Sequence, residues 1–101
     1  MMLKPPDPTN YLACREHYQC CKYRLLRTEE QLLKIFGVDK LADLQIAMDR
    51  EMTSKHGKHR EIMRLYSLQH DEFAAADDAF DAARMLQRKR IELESLAGAK
   101  K

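Results

Sequence analysis

Cys14, His17 and Cys21 stand at i, i+3 and i+7, so a helix carrying them would present all three from one face, with Cys20 on its flank. Thiolate and imidazole are the donors that zinc and copper favour, and three on one face make a partial ligand set. A fourth donor would have to come from His70 or from the same face of a second copy. The competing expectation is that Cys14 and Cys21 are small core residues with His17 at the edge, because cysteine is among the most buried residue types. The heptad spacing described below favours packing over metal, so zinc or copper is held as the alternative.

A second pair of histidines, His56 and His59, lies in the basic run Lys-His-Gly-Lys-His. Such a run could receive a phosphate, an acidic partner or a metal, but its ordinary role is a solvated turn. Catalytic signatures are missing: the chain has no Glu-x-x-His pair, no glycine-rich phosphate loop, no nucleophile elbow and no His-Glu-x-x-His. The expectation is a protein that is not an enzyme.

The elements that must position these groups are delimited by the chain breakers. Pro5, Pro6 and Pro8 stand at the front, Gly37 and Gly57 in the middle and Gly98 near the end. Glycine and proline are the residues least compatible with a helix interior. Three uninterrupted stretches therefore remain, and the expectation is an all-α chain with helices over about 8–36, 39–54 and 58–97, forming a single domain over 1–101.

In the first stretch, Tyr11, Tyr18, Leu25 and Leu32 alternate with Cys14, Cys21, Thr28 and Ile35 at heptad spacing. Asp7 or Thr9 is the expected N-cap, with Pro8 at the first helical position. Asp39 is the expected cap of the second helix, whose apolar face is Leu41, Leu44, Ala47 or Met48, and Met52. Gly57 is expected to close that helix in the left-handed conformation, the alternative being one long kinked helix.

The third stretch runs roughly 60 Å if helical. Phe73, Ala75, Ala76, Ala79, Phe80, Ala82, Ala83 and Leu86 cover about half its circumference at 100° per residue. One neighbouring helix cannot cover half a circumference, and the first helix, at roughly 42 Å, cannot flank all of the third. Part of the third helix must therefore seek another partner, with Tyr66, Phe73, Ala76, Phe80, Ala83 and Leu86 as the expected anchors. The architecture this implies is an elongated, coiled-coil-like helical hairpin or three-helix arrangement with one long C-terminal helix.

Charge is segregated along the same stretch. Asp71, Glu72, Asp77, Asp78 and Asp81 are followed by Arg84, Arg88, Lys89 and Arg90, a pattern that suits an antiparallel or staggered partner, acid on one copy meeting base on the other. Over the whole chain, 18 basic and 16 acidic residues leave a formal charge of +2, too little to gather nucleic acid or anionic membrane by field alone. Aromatic residues do not interleave the basic block, so a small nucleic-acid-associated regulator stands only as a second alternative.

The remaining composition narrows the setting. Three cysteines, an odd count confined to the first helix, cannot form a disulfide scaffold, which points to an intracellular, reducing compartment. No run reaches the roughly 18 apolar residues of a membrane span, and the opening segment has no apolar h-region. The expected role is a small structural or adaptor subunit that packs its third helix into a homo-oligomer or a larger protein complex.

Overall fold

The computed structural model describes residues 3–55 and 57–99 and is all-helical: α1 spans Tyr11–Phe36, α2 Leu41–Thr53 and α3 Arg60–Ala99. The molecule is elongated, 71 × 25 × 19 Å with a radius of gyration of 19.3 Å. A compact chain of this length would have a radius of roughly 13 Å. The excess comes from α3, whose 40 residues exceed the 26 of α1 by 14.

Helix α1 begins three residues later than the proline signal suggests. Asn10 is its N-cap, accepting a hydrogen bond from the Ala13 N–H at 3.0 Å. Asp7 instead organises the preceding turn, accepting from the backbone N–H and the hydroxyl of Thr9. At the other end Gly37 sits at φ 64°, ψ 36°, and the Gly37 and Val38 N–H groups reach back to Lys34 and Leu33 carbonyls. That left-handed closure reverses the chain, because only glycine enters it without a Cβ penalty.

The second helix opens at Lys40 with no side-chain cap, so Asp39 does not fill the expected role. Leu44 and Met48 are its buried residues, and they join Leu25, Leu32, Met63 and Tyr66 in the main apolar cluster. Ile35, expected in the seam, is exposed; Phe36 packs against the cluster in its place, as the last turn of α1 swings toward α2 and the α3 entry.

The break between α2 and α3 is real, but its chemistry differs from the expected glycine closure. Gly57 does not have positive φ; among the described residues Gly37 alone does. Glu51 makes the turn instead. Its Oε1 accepts from the Lys58 N–H at 2.7 Å, the His59 N–H at 3.0 Å and the His59 ring Nδ1 at 2.8 Å. Partial burial pushes this carboxyl upward, but the two backbone donors and the His59 ring more than offset that and hold it below the usual carboxylate range. A carboxylate at the entrance of α3 also complements the positive end of the helix dipole.

Helices α1 and α3 run antiparallel, which the aromatic pairs make plain: Tyr11 lies against Phe80 at 5.7 Å, and Tyr18 against both Phe73 and Phe80 at 5.3 Å. The seam follows the heptad of α1 through Cys14, Cys21, Leu25, Thr28 and Leu32, all buried. On α3 the buried positions are Met63, Tyr66, Gln69, Glu72, Ala76 and Ala83. Spacings of three, four and seven keep one stripe of each helix facing the other.

Candidate interaction surface

The proposed metal donors are distributed into separate local contacts. Cys14 and Cys21 are both buried in the seam, whereas His17 is half-buried and Cys20 exposed. The Cys14 thiol is directed at the Asp7 carbonyl oxygen at 3.5 Å, and the Cys21 thiol donates to Glu72 Oε1 at 3.3 Å. His17 Nε2 lies 3.7 Å from Cys21 Sγ. His70, the suggested fourth donor, is exposed on α3 and engages the Tyr66 hydroxyl at 3.2 Å. Among the described residues no three His, Cys, Asp or Glu side chains are grouped as a metal ion requires.

Burial pushes the Cys21 thiol up to about 12, and the hydrogen bond and negative charge of Glu72 push in the same direction. A thiol kept protonated in this way is a poor nucleophile and a poor ligand, since both roles require thiolate. It acts as a hydrogen-bond donor inside the seam. Of the basic run, His56 lies outside the described residues, while His59 is held by Glu51 and stacks edge-on against Phe36 at 5.4 Å. The anion this turn holds is the chain's own carboxylate.

Of the six expected anchors, five are turned inward or toward α1. Tyr66, Ala76 and Ala83 are buried; Phe73 and Phe80 are partly buried against Tyr18 and Tyr11. Leu86 alone among the six is exposed. The half-circumference of apolar residues is thus divided. One edge lines the intrachain seam, and the other, Ala75, Ala82 and Leu86 with half-buried Ala79, faces away from it.

Beyond Ala83 the helix has outrun α1, and every side chain from Arg84 to Gly98 is exposed. Leu93 and Leu96 keep 67% and 61% of their surface in solvent. Soluble chains seldom leave a row of large apolar side chains uncovered over this length. Leu68 and Leu65 continue the same row on the other side of the alanines, both exposed. Leu68, Leu93 and Leu96 carry this surface, yet periodicity had not singled them out; the signal available was the seven-residue step from Leu86 to Leu93.

Two further features border this surface. An open groove of about 620 Å³ lies between α2 and α3, floored by Met48, Met52 and Met63 and edged by Arg60, Arg64 and His70. The basic block is also exposed, with Arg84 paired to Asp81 and lying over the Phe80 ring at 4.9 Å. No described helix is long and apolar enough to cross a membrane. No protein-family model, curated protein or solved structure matches this chain.

Proposed function

We propose that this chain is a small structural or adaptor subunit without catalytic activity, which docks the outer face and free end of α3 onto another protein chain. Helix α1, helix α2 and the first two-thirds of α3 satisfy one another around the Leu25–Leu32–Leu44–Tyr66 cluster. What they leave over is the outer apolar row of α3. The single observation that supports docking is the exposure of Leu86, Leu93 and Leu96 on a length of helix that none of the other described residues covers.

Helix-in-groove packing is the mechanism this surface suits: apolar anchors at three- and four-residue spacing give affinity, and the flanking charge blocks select orientation. An unpaired helical end of this length is only marginally stable in water by itself. Docking would therefore order and protect it.

The test compares native protein with Leu86→Asp and Leu93→Asp in molar-mass measurements and in crosslinking against its co-purifying proteins. Both positions are exposed, so circular dichroism of the monomer should be unchanged while association is lost. Native protein that stays monomeric at high micromolar concentration and crosslinks to nothing would refute the reading.

A further inference from the structure

The exposed row on α3 reads the same from either end. About a point midway between Phe80 and Asp81, Ala79 mirrors Ala82, Ala75 mirrors Leu86, Leu68 mirrors Leu93 and Leu65 mirrors Leu96. Successive members of the row are three, four or seven residues apart, so on a helix they form one stripe beside the seam that faces α1.

Mirror symmetry of this kind is what an isologous contact demands. In a two-fold dimer the same patch serves both partners, so residue i must suit residue j and j must suit i. An antiparallel pair of helices meets that condition only where the stripe is self-complementary about its midpoint. Small residues at the centre let two backbones approach closely, and the leucines at each end seal the contact.

Charge outside the stripe follows the same order. Asp71, Asp77, Asp78 and Asp81, exposed or half-buried, are followed along α3 by exposed Arg84, Arg88, Lys89 and Arg90. Antiparallel superposition about the midpoint sets the acidic block, 71–81, against the basic block of the second copy, 84–90. Lys89 falls beside Asp71 of the second copy, within one position of exact opposition.

We infer that the occupant of the outer α3 face is a second copy of this chain, packed antiparallel with its two-fold axis between Ala79 and Ala82. This rests on the docking role proposed above and specifies the partner. The free end of each α3 then lies over the Leu65–Leu68 surface of the other copy and beside its methionine-floored groove.

Charge reversal tests the register. Asp71 and Lys89 are both exposed and stand 18 positions apart, about 27 Å along one helix at 1.5 Å per residue, so they cannot meet within a chain. Sedimentation equilibrium should show a dimer for the native chain. Asp71→Lys and Lys89→Asp should each weaken it about tenfold, and the double variant D71K/K89D should restore it. Mixing the two single variants should also restore it, as a heterodimer with both pairs complementary. Circular dichroism melts of each variant, diluted to the monomer, verify the fold.

A dimer in which the double variant is no tighter than the singles would overturn the antiparallel register. A native chain that is monomeric at 200 µM would overturn the second copy as occupant. That last result leaves the docking role standing if Leu86→Asp still abolishes crosslinking to a different protein, and removes it if no crosslink forms.

Discussion

The Cys21 thiol on α1 and Arg24 one turn later converge on a single oxygen of α3, Glu72 Oε1, at 3.3 and 2.9 Å. The other oxygen accepts from the Leu3 N–H at 3.2 Å, so one buried carboxylate ties the N-terminal segment, α1 and α3 together. Removing the carboxylate as Glu72→Ala should cost about 2 kcal/mol, the loss of charged hydrogen bonds within a seam where Arg24 can still turn partly to water. Chemical denaturation should show this with little change in slope. A loss below 0.5 kcal/mol would mean that the network contributes no net stability.

Cys21 and Tyr66 set the alkaline limit of the fold. Burial lifts Cys21 from 9.0 to about 12, and burial together with the neighbouring charge of Glu29 lifts Tyr66 from 10.0 to about 12. In both cases the folded chain keeps a proton that the unfolded chain has already lost. The stabilisation is therefore complete below pH 9 and drains away as the pH climbs toward 12. Melting temperature should be flat from pH 7 to 8.5 and fall steadily above 9, and less steeply in Cys21→Ala. At pH 8 a thiol reagent should modify one cysteine, Cys20, until the protein is unfolded.

The two interhelical glycines should respond to alanine for different reasons. At Gly37 an added Cβ meets nothing within 4 Å, so Gly37→Ala costs only the left-handed backbone, about 1 kcal/mol, and Gly37→Asn should cost less. At Gly57 the added Cβ would stand 3.0 Å from the Glu51 carbonyl oxygen and 3.2 Å from Arg60 Nε. Crowding makes Gly57→Ala destabilising by about 1 kcal/mol, and asparagine should be worse than alanine there. Urea midpoints of the four variants separate strain from crowding by the asparagine result alone.

Two alanines of α3, two positions apart, should diverge in the same assay. Ala76 is buried against α1, so Ala76→Leu overpacks the seam and should lose about 2 kcal/mol. Ala74 is exposed, and Ala74→Leu should lie within about 0.5 kcal/mol of the native chain. Equal effects at the two sites would contradict the seam described above.

Much of the architecture follows from local chemistry that the sequence carries by itself. The breakers from Pro5 to Gly57 stand outside the helices, although α3 runs on through Gly98 to Ala99; the heptad of α1 names Cys14, Cys21, Leu25, Thr28 and Leu32 correctly as buried but misplaces Ile35, and α3 had to be too long for its neighbour. Each of these depends on residues within a few turns of one another, where period and propensity decide the outcome. Which asparagine, threonine or aspartate caps α1 was not decidable in that way, because Asp7, Thr9 and Asn10 are all competent and only the turn at Asp7 selects Asn10.

Tertiary structure alone decided which half of the apolar band on α3 is occupied. Phe73, Phe80, Ala75 and Ala82 are equally apolar on a helical wheel, and the seam takes the first two because Tyr11 and Tyr18 stand opposite them. The same holds for Glu72, read in sequence as one acid in an acidic block, and for Glu51, which closes the second turn in place of Gly57. A carboxylate becomes a structural element only when donors from distant positions converge on it, and that convergence is set by how α1, α2 and α3 pack rather than by any spacing along the chain.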